Sequence, residues 1–257
     1  MQETLEYTDL LRLIDERATA FRTAIAAAPG LDAQVPSCPD WTLLDLAEHI
    51  GVGRRRWAAT VAAGPGATAR AEPLGDTTAP RELEALLAWL AESTELLLDA
   101  LRAAEPDRAC FTGWGASQSP HTCAGVARRQ LHEYAVHTYD AQLTAGAPEP
   151  LPTEVALDGV EEFLHTCNAT TSPWPGEPTT LDYRAAEGRS WRLTLDGAGA
   201  RAARLPAGGA AQAPGVCADA AASDLVLVMY GRLPLETLVI GGDRAVLDQL
   251  VEWDPEE

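Results

Sequence analysis

The sequence predicts an antiparallel four-helix bundle over residues 1–147, followed by a small α+β domain over residues 148–257. Three observations predict it. Apolar residues recur at three- and four-residue intervals in four long stretches of the first half. Residues 146–152 then carry three prolines and no periodic pattern, which marks a boundary. Beyond them, short alternating segments interleave with short helical ones.

Each element follows from local residues. Leu10, Leu11, Ile14, Ala18, Phe21 and Ile25 define helix one, which ends at Pro29-Gly30. Thr42 caps helix two, with Asp45 three residues on in a capping-box arrangement. Leu43, Leu46, Ile50, Trp57 and Val61 form its apolar stripe, and Gly64-Pro65-Gly66 stops it. Helix three follows Pro80, with Leu83, Leu86, Leu87, Leu90, Leu97 and Leu101 on its buried side. A loop over 106–120 precedes helix four at 121–145. Four amphipathic helices of this length are expected to bury their stripes against one another.

In the second half a helix is expected over 153–167 and strands over 179–185 and 191–195, with shorter ones over 201–205 and 216–218. An apolar helix over 222–230 runs into Gly231-Arg232. A strand over 238–240 meets Gly241-Gly242, and Asp243 caps a last helix through Val246, Leu247 and Leu250. The Ala/Gly/Pro-rich stretch 197–214 reads as irregular connection.

Composition narrows the function classes. With 46% hydrophobic residues in 257, the chain has ample material for packed cores. Its 19 basic residues, all arginine, face 38 acidic ones, a net charge of −19. Such a surface repels nucleic-acid phosphates and anionic lipid heads, so neither is an expected partner. No apolar run reaches the ~18 residues that span a bilayer, and the first dozen residues are acidic, unlike a secretory signal. Five scattered cysteines without CxxC spacing suggest reduced thiols, hence a soluble, cytoplasmic protein.

The segment Gln130-Leu131-His132-Glu133-Tyr134-Ala135-Val136-His137-Thr138-Tyr139-Asp140 carries the chemistry. On a helix, Glu133 and His137 stand one turn apart, about 40° around the axis, and Asp140 falls on the same stripe. A carboxylate and an imidazole so spaced supply two of the three protein ligands of a catalytic zinc site. His132 lies about 140° around the helix from His137, a poor partner for the same ion. His121 sits turns away and His165 belongs to the second domain. His49, on helix two, is the histidine that a facing bundle helix can deliver. The expected site is therefore His49, Glu133, His137 and one open position.

Two segments resemble a known family. Cys38-Pro39-Asp40-Trp41-Thr42-Leu43-Leu44-Asp45-Leu46-Ala47-Glu48-His49-Ile50-Gly51 is similar to the CPGWTVxDLxxHL segment of the mycothiol-dependent maleylpyruvate isomerase family, which belongs to the DinB-like metal-binding bundles. Arg128-Arg129-Gln130-Leu131-His132-Glu133-Tyr134-Ala135-Val136-His137 with Asp140-Ala141 resembles its RRxxHExxVHxxDA segment. Ala222-Ser223-Asp224-Leu225, Gly231-Arg232-Leu233-Pro234 and Gly242-Asp243 look like its C-terminal α+β domain. Asp40 stands where the family usually has glycine, and Thr138-Tyr139 where Arg-Trp is common.

The resemblance implies a divalent metal, usually zinc, held by His49, Glu133 and His137, and mycothiol as the thiol cofactor. It implies an isomerase or S-transferase acting on a small electrophile, with Arg232 as the candidate holder of a substrate carboxylate. Asp140 is the candidate orienter of His137, and Trp41 the candidate contact for the thiol, with a core-anchor role as its structural alternative. A thiol-independent metal hydrolase, or a non-catalytic binding module, are the rival expectations.

Overall fold

The computed structural model describes residues 4–206 and 213–253. It forms two compact units, one of Met1–Gly113 with Pro120–Leu151, the other of Trp114–Ser119 with Pro152–Glu257. Within the stretch read as irregular connection, residues 207–212 lie outside the described residues.

In the first unit the four periodic stretches are α1 (Tyr7–Ala27), α2 (Leu43–Ala63), α3 (Leu83–Arg102) and α4 (Cys123–Thr144). Thr42 starts α2 as expected. Its hydroxyl accepts from the Asp45 amide at 3.3 Å, and Asp45 Oδ2 accepts from the Thr42 amide at 2.8 Å. A cap of this kind contributes about 1 kcal/mol. Leu10, Ile14, Ala18, Phe21 and Ile25 of α1 face inward with Leu86, Leu90, Leu97 and Leu101 of α3. Two leucines assigned to the buried side of α3 depart from it. Leu83 sits in the first turn, where the stripe runs out, and is exposed. Leu87 is half-buried on the flank because Trp89 and Leu98 join the core face. Trp57 of α2 is likewise half-buried, with the Arg70 guanidinium 5.3 Å from its ring.

Residue pairs fix the helix directions. His49 meets Glu133 and His137, and further along α2 Arg54 meets Gln130, so α2 and α4 run antiparallel. Gly51 abuts the Trp89 ring, and Arg55 bonds Ser93 and Glu92 one turn later. Those steps advance together, so α2 and α3 run the same way. The long connection 64–82 returns the chain to the starting end, which a short turn cannot do.

The second unit opens with α5 (Thr153–Phe163), whose last turn widens into a π-helical stretch, Leu164–Asn168. A five-stranded sheet follows, built from β1 (Thr179–Ala185), β2 (Ser190–Asp196), β3 (Gly199–Arg204), β4 (Val216–Ala220) and β5 (Val239–Gly242). Its order is β3-β2-β1-β4-β5; β1 and β4 are parallel and the other neighbours antiparallel. Alternation on β2 buries Trp191, Leu193 and Leu195, and the Trp191 indole donates to Glu161 of α5 at 3.0 Å. On the other face of β1, fully buried Asp182 accepts two bonds from Arg192, its cross-strand partner. α6 (Ala222–Met229) and α7 (Ala245–Glu252) complete the unit; the N-cap of α7 is Arg244, and Asp243, expected to cap it, stands one residue earlier with its carboxylate accepting from the Ala245 amide. Strand β3 is the short strand expected over 201–205, and it starts two residues earlier. Its buried residues are alanines (Ala200, Ala202), which carry little strand signal.

Two glycines on α2 separate packing from propensity. A Cβ at Gly51 would stand 2.0 Å from the Trp89 ring, whereas one at Gly53 would meet nothing within 4 Å. Gly51→Ala is expected to destabilise by about 1–3 kcal/mol, and Gly53→Ala to stabilise by about 0.5–1 kcal/mol. Urea midpoints with unchanged m-values check both signs.

Candidate metal centre

The three expected ligand residues converge. His49 (α2), Glu133 and His137 (α4) form the one group of three or more His, Cys, Asp and Glu residues among those described whose donor atoms all lie within 4.8 Å of each other. Glu133 Oε2 is 3.9 Å from His49 Nε2 and 3.7 Å from His137 Nε2. Donors each ~2.0–2.2 Å from a shared zinc ion stand at most about 4.2 Å apart, so Oε2 lies within bridging reach of both imidazoles.

The outer atoms of both α4 ligands are already engaged, which leaves their inner atoms for a cation. Glu133 Oε1 accepts from Arg129 Nη2 at 2.6 Å. His137 Nδ1 is 2.8 Å from Asp140 Oδ2. An ionised carboxylate only accepts, so Nδ1 carries the proton and the neutral ring presents its Nε2 lone pair to the cluster. Asp140 is fully buried, and Ser37 Oγ donates to its other oxygen at 2.6 Å. The donor set fits a borderline cation such as Zn²⁺.

Electrostatics favour the ionised ligand. Burial raises the Glu133 carboxyl, but the approach of His49 and the charges of Arg129 and Arg54 outweigh it and hold the group well below the usual carboxylate range. Exposure is graded across the cluster: the side chains of His49, Glu133 and His137 are 44%, 23% and 11% exposed. Solvent therefore reaches the centre from the His49 side. Trp41 packs over both imidazoles, its ring centroid 4.8 Å from that of His49 and 6.2 Å from that of His137.

Several residues have places the sequence did not disclose. Cys38 points its Sγ toward Asp140 Oδ2 at 3.9 Å and stands outside the ligand group. Arg129 and Ser37 were missed; the first had a signal, since Arg129 and Glu133 form an i,i+4 ion pair. Arg232 belongs to the second unit, where it follows positive-φ Gly231 and its Nη1 donates to the Tyr230 carbonyl at 2.8 Å. That bond is the helix-end contact expected of a basic residue in this position.

The family model described as mycothiol maleylpyruvate isomerase N-terminal domain matches residues 11–142, and the corresponding C-terminal domain model matches residues 154–249. The chain belongs to this family. Among solved structures it is similar to a mycothiol-dependent maleylpyruvate isomerase, with a TM-score of 0.60 at 12% identity over 93% of this chain and 96% of that one. A histidine-to-alanine variant described by the same name gives 0.61 at 13% identity, with the same coverage. At such identity the likeness speaks for the fold. No curated protein matches the chain. The N-terminal and C-terminal domain models follow one another along the chain, and no described helix is long and apolar enough to cross a membrane.

The Asp140 contact generates a prediction. Asp140→Asn keeps the shape but removes the charge behind His137, and is expected to weaken divalent-metal affinity about 10–100-fold. Equilibrium titration with a chromophoric chelator reads the change. Unaltered affinity, with the circular-dichroism spectrum intact, would reduce Asp140 to a packing role.

Proposed function

We propose that the protein is a divalent-metal-dependent enzyme that uses mycothiol to act on a small electrophile, by isomerisation or S-transfer. The observation that carries the reading is the convergence of His49, Glu133 and His137, with the outer atoms of Glu133 and His137 occupied, in a chain of the mycothiol maleylpyruvate isomerase family.

A divalent ion held there would supply a Lewis acid and one open position at which a thiol loses its proton near neutral pH. The protein's own groups do the rest. His49, Glu133 and His137 would hold the ion, and zinc suits this donor set. Asp140 keeps the His137 ring in one tautomer and one orientation, and Arg129 ties back the second Glu133 oxygen. Trp41 forms an apolar wall beside the imidazoles, suited to a thiol's carbon skeleton. Arg232 is proposed, on its motif position, to take a substrate carboxylate in a bidentate bond.

In isomerisation a carbon–sulfur bond forms at an alkene carbon conjugated to a carbonyl, and the π electrons move onto the carbonyl oxygen. The former double bond turns as a single bond. Expulsion of the same sulfur restores the alkene, so no atom or electron is gained or lost. S-transfer ends instead with the sulfur retained, a proton completing the adduct or another group leaving. Such chemistry belongs where thiols stay reduced, so a cytoplasmic location is part of the proposal. The hydrolase reading draws less support: Asp140, its candidate base, is fully buried and bonded to His137 and Ser37.

Purified protein is expected to carry stoichiometric divalent metal, and His49→Ala and His137→Ala to lose it. Turnover of maleylpyruvate or of another electrophile should require mycothiol; turnover indifferent to the thiol would sink the proposal. Arg232→Ala is expected to raise KM for a carboxylate substrate roughly 10–100-fold, the worth of a charged hydrogen-bonded pair, and to leave a neutral electrophile unaffected. Equal effects on both would remove Arg232 from the site.

A further inference from the structure

Two neighbouring arginines of α2 are equally buried and differently served. Arg54 and Arg55 are each 2% exposed. Arg55 spends its donors on Ser93 Oγ at 2.9 Å, Glu92 Oε2 at 2.8 Å and the Leu74 carbonyl at 3.2 Å. Arg54 gives one bond, from Nη1 to Gln130 Oε1, and its guanidinium carbon lies 4.2 Å from the centroid of the Tyr134 ring. Its Nε and Nη2, and Gln130 Nε2 beside it, have no hydrogen-bond partner among the described residues. Arg54 also forms no ion pair there. A buried cation in this condition is costly, and hydrophobic replacement of a buried polar pair is commonly neutral or stabilising.

The place of the charge explains its retention. Gln130 stands one turn before Glu133 on α4, and Tyr134 is the next residue along. The guanidinium is held by both, and its charge is felt at Glu133. Arg129 adds a second cation, bonded directly to Glu133. A protein of net charge −19 thus concentrates positive charge behind one metal-ligand cluster.

We propose that Arg54 is a positioning residue, a fixed interior cation kept at a cost to bundle stability, which makes the open metal position favour an anionic ligand over a neutral one. This rests on the metal reading given above. Thiolate is the ligand class such a field selects, and a carboxylate shares the preference. One unit charge several ångströms away, at a protein's effective dielectric, changes anion affinity by about tenfold or more.

The test uses the 257-residue chain as wild type, as the Arg54→Met/Gln130→Met double variant, which removes both members of the pair, and as Arg54→Lys. Metal-free protein is melted, and the cobalt(II)-loaded form is titrated by its visible spectrum with thiocyanate and, separately, with imidazole. The double variant is expected to melt at or above the wild-type temperature and to keep the cobalt spectrum. It should bind thiocyanate about tenfold more weakly and imidazole unchanged, while Arg54→Lys retains most of the anion affinity. A clearly lower melting temperature for the double variant would show that the arginine stabilises the bundle, and would overturn the proposal. Unchanged thiocyanate affinity in cobalt-loaded protein would overturn it while leaving the metal reading intact. Failure of the wild type to take up cobalt at all would overturn both.

Discussion

The hydrogen bond between His137 and Asp140 is the contact on which the candidate centre turns. It is made within one helix, three residues apart, to a fully buried carboxylate. By taking the Nδ1 proton it commits the imidazole to a single tautomer and aims Nε2 at Glu133 and His49. Ser37, from the loop before α2, holds the remaining Asp140 oxygen. The same loop brings Trp41 against both imidazoles, and Thr42 ends it by starting α2, on which His49 lies two turns further along. Loop, cap and ligand are therefore one construction, anchored to α4 through Asp140.

The helix directions give that construction its frame. Antiparallel α2 and α4 place His49 opposite the Glu133–His137 turn, and the next layer brings Arg54 to Gln130. On its other flank α2 runs alongside α3 in the same direction, close enough at Gly51 for the Trp89 ring to take the space of a side chain. Trp89 is itself fixed by an indole bond to the Asp76 carbonyl in the long connection. The ligand-bearing helix is thus braced from both sides, one by small-to-large packing and the other by polar contacts.

Periodicity and caps made most of the fold legible, because the four bundle helices and the β1–β2 pair depend on spacing within a few residues. The candidate ligand group was legible for the same reason in part: Glu133 and His137 share a turn, and His49 lies in a recognisable segment. Strand β3 was blurred because alanine fills its buried positions. The Ser37–Asp140 bond joins residues 103 apart and leaves no local trace. Arg54 lies in the run Arg54-Arg55-Arg56, which in sequence looks like a solvated basic patch. Only the side chains that α3 and α4 bring to it show that two of the three are interior.

Arg129 has a consequence for how crowded a bound ion could become. A carboxylate free to swing can chelate a cation with both oxygens and fill a site meant for an incoming molecule. Here one Glu133 oxygen is tethered by a guanidinium and the other faces the imidazoles. A cation held there would meet the glutamate through one oxygen, and a coordination position would be kept open by a residue that never touches the ion.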